Sequence, residues 1–206
     1  MTIQTIELAG LHSALHAMRN PLDSWERSDS RTGQVGRKDR ELSTKLAKAG
    51  PEHAKHLRMV IVWADITAPR YWWQEFDTYR AGVEKLSCST MHTLMKKPLS
   101  CDDFECDCYK NDVMLATIAS INQDIEYYQT QTDPDVKAAI FRGVVQALPQ
   151  SFLQKRTVMM SYSALRNIYR QRAGHKLKEW HVFRRWVENL PESWMITDEL
   201  PMEDDD

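Results

Sequence analysis

Two stretches of this sequence carry hydroxyl and cationic side chains at spacings that suit a phosphorylated ligand. The first is the segment 87–90, SCST, whose side chains and backbone N–H groups can donate hydrogen bonds to a phosphate. In the second, Lys155 and Arg156 precede Asn167 and Arg172. Arginine offers an anion a rigid fork of donors, and asparagine offers a base edge both a donor and an acceptor. These residue types favour nucleotide binding, and the alternative is a solvated surface.

An aromatic segment stands directly before these hydroxyl groups. The apolar run 56–67 predicts a buried strand, which Ala68-Pro69 should end because proline has no N–H to give to a ladder. Aromatic rings then follow at positions 71, 72, 73, 76 and 79. This spacing predicts a short helix with its aromatic face packed inward. The rings could wall a planar ligand, and the alternative is that they belong only to the core.

The composition limits the classes of function. A chain of 206 residues can bury one sizeable core, and 42% hydrophobic with 27% charged residues is typical of globular proteins. A net charge of −2 provides no general attraction to nucleic acid or membranes. No apolar run approaches the roughly 20 residues that cross a bilayer, and the N-terminus lacks the order of a signal peptide. We expect a cytoplasmic protein with reduced thiols, no membrane partner and no direct nucleic-acid binding.

The first part of the chain predicts the elements that lead to the aromatic segment. Residues 3–8 alternate as in a strand, and apolar residues at helical spacing follow over 11–18. The polar segment 23–36 is long enough to act as a lid, and the alternative is a solvated connection. A surface helix is expected over 37–48.

The second half predicts long helices and then a strand and helix. Broad apolar stripes indicate helices over 112–131 and 134–148, which could form a helical layer or an oligomer interface, with Asp133 as a cap. Residues 154–162 predict a strand, after which Ser163 should cap a helix. The chain closes with an amphipathic helix containing Leu177, Trp180, Phe183, Trp186 and Val187, and then an acidic tail, 201–206, expected to be disordered. The expected fold class is α/β (α+β), a single domain over residues 1–200 with an antiparallel or mixed sheet and a layer of long helices.

The cysteines and two of the histidines are the candidate metal ligands of this sequence. Cys101, Cys106 and Cys108 lie among carboxylates at irregular spacing, with Cys88 upstream, and zinc usually takes two closely spaced ligand pairs. His53 and His56 could share a helical face, but no further ligands lie nearby in the sequence. We therefore predict no metal site.

The two blocks together resemble the flavin-dependent thymidylate synthases, in particular a divergent branch found in phage and prophage genomes. The shared order is apolar strand, Ala68-Pro69, aromatic helix and hydroxyl-rich loop, followed later by Leu148-Pro149, a basic strand and a helix with Asn167 and Arg172. The resemblance covers roughly positions 57–92 and 148–190. It implies an α/β fold with a helical layer, a homotetramer, bound FAD and a pyrimidine nucleotide, with methylenetetrahydrofolate and NADPH as co-substrates.

The resemblance also implies which residues bind each ligand. The family's Arg-His-Arg triplet falls on Thr78-Tyr79-Arg80, so only Arg80 matches, and its Leu-Ser falls on Leu86-Ser87. Where the family has a loop arginine, this chain has Ser89 and Thr90. The implied cofactor-binding residues are Thr78, Tyr79 and Arg80. The implied substrate-binding residues are Ser87, Ser89, Thr90, Lys155, Arg156, Asn167 and Arg172, and the catalytic residues are unassigned.

Two functions follow from these observations. One is a flavin-dependent enzyme that transfers a one-carbon unit to C5 of dUMP or dCMP, as a methylase or a hydroxymethylase. The other is a non-catalytic relative that binds a nucleotide or a protein. A tetramer is also favoured by Trp180, Trp186 and Trp194, which exceed what one thin core needs to bury.

Overall fold

A four-stranded antiparallel sheet organises the chain in the computed structural model, which describes residues 1–106 and 111–199. The strand order across the sheet is β1-β2-β4-β3. The predicted acidic tail, 201–206, lies outside the described residues. The strands are β1 (Thr2–Ala9), β2 (Ile61–Pro69), β3 (Val83–Ser87) and β4 (Leu153–Ser161).

Helices of very different lengths connect and cover the strands. The two longest, α5 and α6, follow each other in the sequence, as their broad apolar stripes predict. The helices are α1 (Leu11–Ala17), α2 (Arg37–Ala49), α3 (Arg70–Phe76), α4 (Thr90–Thr93), α5 (Asn111–Thr130), α6 (Pro134–Ala147), α7 (Tyr162–Gln171), α8 (Lys178–Glu188) and α9 (Trp194–Thr197). The α/β fold class with a long-helix layer is thus confirmed.

The chain divides into two compact units, which we call the first and second unit. The first unit comprises Met1, Thr67–Thr78 and Leu86–Arg156, and the second comprises Thr2–Ile66, Tyr79–Lys85 and the chain from Thr157 onward. The division falls within β2, β3 and β4. The expected single domain over residues 1–200 stays a prediction.

The core of the first unit is built by α5 and α6. Ile118, Ile121 and Ile125 lie one turn apart on α5 and are buried with Val144 and Leu148. Asp133 caps α6 as predicted, because its carboxylate accepts hydrogen bonds from the backbone N–H groups of residues 135 and 136. The periodicity of the apolar residues therefore located both helices correctly.

The second unit buries most of the C-terminal tryptophans within the chain itself. Trp180 is completely buried and Trp194 is 5% exposed, while Trp186 is half-buried and donates from its indole N–H to the Thr5 hydroxyl over 3.0 Å. These side chains therefore give no support to the argument that they require an oligomer to cover them. The homotetramer itself stays a prediction.

Three local predictions need correction. Segment 83–87 forms strand β3, which its weak alternation did not reveal, so Ser87 ends a strand rather than opening a loop. The cap of α7 is Ser161, whose hydroxyl accepts from the Ala164 N–H over 3.1 Å, and Ser163 already lies inside the helix. The aromatic helix ends at Phe76, which leaves Tyr79 in the following turn.

The polar segment 23–36 is fastened to α2 by short hydrogen bonds. Its Ser28 hydroxyl donates to Asp39 over 2.6 Å, and its Asp29 carboxylate accepts from the backbone N–H of Lys38 over 2.9 Å. Asp39 is buried and also binds the buried guanidinium of Arg19 over 2.5 Å. These contacts hold the segment against α2 and favour a connection over a lid.

The structure describes three of the four cysteines. Cys88 and Cys101 are free thiols with exposed side chains, Cys106 is also exposed, and Cys108 lies outside the described residues. Within residues 1–106 and 111–199, no helix has the length and apolar character needed to cross a bilayer.

Candidate functional site

Helix α3 presents one face to a cavity in the first unit. Pro69 precedes the helix in extended conformation, and Trp72, Trp73 and Phe76 are buried, as the aromatic spacing predicts. The Trp73 indole N–H donates to the carbonyl of Gln154 on β4 over 2.9 Å, which fixes the ring against the strand. The guanidinium of Arg156 lies 4.2 Å from the centre of the Trp73 ring, a favourable cation–π distance.

Arg156 is held on three sides. Its Nη1 donates to both carboxylate oxygens of Asp77, over 2.8 and 3.1 Å. Its Nε and Nη2 donate to the amide oxygen of Gln154 over 3.1 and 2.9 Å. The charge of Arg156 is therefore paired and its plane is stacked on Trp73, so most of its capacity to bind a ligand is already used.

The cavity beside this cluster has a volume of about 290 Å³, near the lower limit for small-molecule sites. Leu94, Val145 and Leu148 supply an apolar wall. Its other lining residues are polar or aromatic: Arg70, Trp73, Gln74, Asp77, Thr90, Gln154 and Arg156. A cation, amides and a hydroxyl beside an apolar wall can hold a small, partly planar anion.

Sequence reasoning missed three of these residues, Arg70, Gln74 and Asp77, although their spacing relative to Trp73 carried a signal. Arg70, Trp73, Gln74 and Asp77 follow one another at i, i+3, i+4 and i+7, which places them on one helical face. The aromatic rings dominate this segment and hide the polar residues that share their helix.

The hydroxyl-rich segment contributes one residue to the cavity. Thr90 begins α4 and lines the cavity, whereas Ser87 and Ser89 are not among its lining residues. Lys155 has an exposed side chain, and its carbonyl accepts from the Cys88 N–H over 2.9 Å. Among the predicted substrate-binding residues of the first unit, the structure therefore places Thr90 and Arg156 at the same cavity.

A second cluster lies in the second unit around Arg172, at the C-terminal end of α7. The Arg172 Nε donates to the Tyr79 hydroxyl over 2.7 Å. Its guanidinium lies 4.3 Å from the ring centre of Trp180 and 5.3 Å from that of Tyr79. The buried Trp180 ring also meets His175 edge-on at 6.1 Å. Arg172 is thus half-buried in an aromatic cluster rather than extended into solvent.

The turn after α3 carries the predicted flavin-contacting residues. Gly82 lies in this turn with φ of +70°, a conformation that glycine adopts without strain. A Cβ at this position would also meet the Ser161 hydroxyl at 2.6 Å. The Thr78 hydroxyl donates to the carbonyl of Glu75 over 2.7 Å. Arg80 has an exposed side chain. Of the three predicted residues, Arg80 is therefore the one whose charged group is open to a ligand phosphate.

The arginine-rich helix α7 has mainly a structural role. Arg166 donates to the Asp198 carboxylate over 2.6 Å and to the carbonyl of Met195 over 3.0 Å, and Arg170 donates to the other oxygen of Asp198 over 2.6 Å. Burial alone raises the pKa of Asp198, but hydrogen bonds from both arginines outweigh it and hold the pKa below its ordinary value. Two of the arginines on α7 therefore bind the C-terminal segment and hold it against this helix.

Asn167 is exposed on α7, and its amide oxygen accepts from Gln171 over 3.0 Å. This contact is between exposed neighbours on one helix, so it is weak and easily exchanged for a ligand. The amide can therefore still offer both a donor and an acceptor.

Comparison with known proteins identifies the fold. No protein-family profile matches the sequence, and no curated protein matches it significantly. A crystal structure of flavin-dependent thymidylate synthase ThyX from Helicobacter pylori complexed with FAD and dUMP is similar with a TM-score of 0.74 and 20% identity, covering 98% of this chain and 100% of that one. A second structure of Thymidylate Synthase X (ThyX) from the same organism, with FAD and dUMP, gives 0.73 and 20%, with 96% and 98% covered. The chain therefore has the ThyX fold along nearly its whole length, as the sequence resemblance implied.

Proposed function

We propose that this chain is a flavin-dependent enzyme that transfers a one-carbon unit to C5 of a pyrimidine deoxynucleotide monophosphate. The observation that carries this proposal is the likeness of 98% of the chain to a ThyX structure complexed with FAD and dUMP. A cavity with cationic, amide and hydroxyl groups beside an apolar wall supports it. Methylenetetrahydrofolate as donor and NADPH as reductant belong to the same proposal.

The nucleotide-binding groups are proposed in each unit separately. In the first unit, Thr90 and Arg156 line the cavity, and Ser87, Ser89 and Lys155 are proposed as further contacts. In the second unit, Arg172 is pre-positioned by its aromatic cluster to meet phosphate or sugar. Asn167 is proposed to read the base edge, for which its exposed amide has the required donor and acceptor.

The residues predicted to hold FAD fit it in part. Arg80 is exposed and can pair with a flavin phosphate, whereas the Thr78 hydroxyl and the Tyr79 hydroxyl already have internal partners. When bound, the flavin supplies hydride transfer, and the protein contributes binding, orientation and exclusion of water. We therefore propose that FAD binds through Arg80, more weakly than a complete Arg-His-Arg triplet would allow.

A non-catalytic nucleotide- or protein-binding relative is the second candidate. Two observations favour it: Arg156 is already paired with Asp77, and Tyr79 is already bonded to Arg172. Both contacts consume groups that a ligand would otherwise engage.

The two candidates differ in what the purified protein binds and converts. Enzyme supplied with FAD, NADPH, methylenetetrahydrofolate and dUMP or dCMP should form a C5-modified nucleotide, identified by mass as the methyl or hydroxymethyl product. FAD titration should quench flavin fluorescence saturably, and Arg80→Gln should weaken that binding about tenfold. Arg142→Gln, on an exposed side chain of α6, is the matched control. Nucleotide binding without FAD binding or turnover would establish the non-catalytic candidate.

A further inference from the structure

The cavity of the first unit is lined by two arginines in different electrostatic states. Arg156 is paired with Asp77 over 2.8 Å, bonded to Gln154 and stacked on Trp73. Arg70 makes one side-chain hydrogen bond, from Nη1 to the carbonyl of Leu148 over 3.3 Å. Within residues 1–106 and 111–199, no carboxylate lies within ion-pair distance of the Arg70 guanidinium.

An unpaired guanidinium is costly in this position. Arg70 is half-buried, and removal from water disfavours a charge that has no counterion. An anion in the cavity would supply the missing counterion, and the fork of donors on Arg70 suits a phosphate or carboxylate.

We infer that Arg70, rather than Arg156, is the anion-binding residue of this cavity and that it takes the phosphate of the mononucleotide. This inference rests on the proposed function for the identity of the nucleotide. Thr90 lines the same cavity and can add a hydroxyl donor. Arg156 then acts as a positioning residue that holds the Gln154 amide and the Asp77 carboxylate in place.

The other walls of the cavity agree with a mononucleotide. A volume of about 290 Å³ is too small for a dinucleotide, and Leu94, Val145 and Leu148 offer an apolar surface to a planar ring. Gln74 retains a free amide oxygen when its Nε2 donates to Gln150 over 3.2 Å, so the cavity also presents an acceptor. With the charges of Arg156 and Asp77 paired to each other, the Arg70 cation, one hydroxyl and an amide acceptor beside an apolar wall match a phosphate joined to a small heterocycle.

Calorimetry with three probes tests the inference: dUMP, deoxyuridine without phosphate, and inorganic phosphate. Arg70→Gln should weaken dUMP binding roughly ten- to hundredfold and leave deoxyuridine binding unchanged. Arg70→Lys, which keeps the charge, should lose only a few-fold, and Arg142→Gln should lose nothing. Thermal unfolding of each variant checks that the fold is intact, and Arg70→Lys keeps the test decisive where Arg70→Gln does not fold.

The outcomes separate this inference from the proposed function. Equal dUMP affinity for Arg70→Gln and the parent, or an equal loss for deoxyuridine, would overturn the role of Arg70 while the proposed function stands. If the parent binds neither dUMP nor dCMP but binds inorganic phosphate in an Arg70-dependent way, the proposed function fails and the anion site is supported. A parent that binds neither of these nucleotides nor inorganic phosphate would overturn both.

Discussion

Tyr79 and Arg172 are 93 positions apart in the sequence, and their side chains are joined by a hydrogen bond of 2.7 Å in the second unit. Tyr79 stands in the predicted cofactor-binding triplet and Arg172 among the predicted nucleotide-binding residues. The contact therefore links the two predicted sets directly. A change at either residue is expected to affect both ligands.

Replacing Arg172 tests this link. Arg172→Ala should weaken dUMP or dCMP binding by roughly ten- to hundredfold, because it removes a charge-assisted contact. It should also lower the free energy of unfolding by about 1–2 kcal/mol, since the guanidinium packs on Trp180 and Tyr79. Calorimetry and thermal denaturation measure the two effects. Unchanged nucleotide affinity together with a lowered melting temperature would mean that Arg172 serves only the fold.

His56 gives a prediction about acid stability. Burial lowers the pKa of His56 to about 4, whereas its ordinary pKa is 6.5. Between these values the unfolded chain takes up a proton that the folded protein refuses, so the stability present above pH 6.5 declines as pH falls toward 4. The full loss is about 3 kcal/mol at 1.36 kcal/mol per pKa unit.

His56→Gln should flatten this pH dependence while keeping a hydrogen-bonding group for Ser43, which lies 2.8 Å from the ring Nε2. Urea denaturation at several pH values provides the measurement. His92→Gln, on an exposed side chain of α4, is the control and should leave the slope unchanged. Identical slopes for His56→Gln and the parent would contradict the prediction.

The buried pair Arg19–Asp39 predicts a second, more acidic loss of stability. Burial alone raises the pKa of Asp39, but hydrogen bonds from Ser28, Ser30 and Arg19 hold it below the ordinary value of 3.8. A lowered carboxyl pKa contributes stability above pH 3.8 that is lost as pH falls through the lower, folded value. Neutral Asp39 leaves the guanidinium of Arg19 without its counter-charge.

Asp39→Asn reproduces this state at neutral pH. It should cost about 3–5 kcal/mol, because a buried charge is left unpaired. Glu41→Gln is the control, since Glu41 pairs with Arg37 on the exposed surface and should contribute less than about 1 kcal/mol. Denaturant unfolding compares them, and similar costs for the two variants would show that burial of the first pair has no energetic weight.

The predicted homotetramer can be tested on α5. This helix exposes Val113 and Tyr127 by 62% and 55%, and these side chains lie near one another in angle around the helix. Light scattering should give about four times the 24.0 kDa chain mass. The double variant Val113→Lys, Tyr127→Lys should reduce that mass without lowering secondary-structure content. A parent protein at the single-chain mass would contradict the prediction.

The sequence revealed the elements better than their contacts. Helices α5 and α6 were predictable because long apolar stripes and the Asp133 cap act within a short stretch of chain. Strand β3 was missed because only Val83 of its five residues is fully buried, which leaves little alternation to read. Ser161 and Ser163 offer equal hydroxyl groups, and the length of the preceding strand decides which of them caps α7.

Long-range partners explain most of what the sequence left open at the site. The structure places Arg156 at the cavity, but its partner Asp77 lies 79 positions away and no local pattern joins the two. Arg166 and Arg170 carry the same donors as Arg172, and their structural role could not be read from the sequence because Asp198, which binds both, also lies far along the chain. Charge pairing of this kind depends on tertiary structure, which spacing does not encode.

Strand β3 has a consequence for how the protein behaves at high concentration. It ends the strand order of the sheet, and such a strand offers free N–H and C=O groups on which another chain can add. Leu86, which is 82% exposed, favours association of this edge strand with another chain. The charges of Glu84 and Lys85, and the short length of the strand, five residues, oppose such pairing. Neutralising those two charges would favour aggregation through pairing of β3 with strands of other molecules.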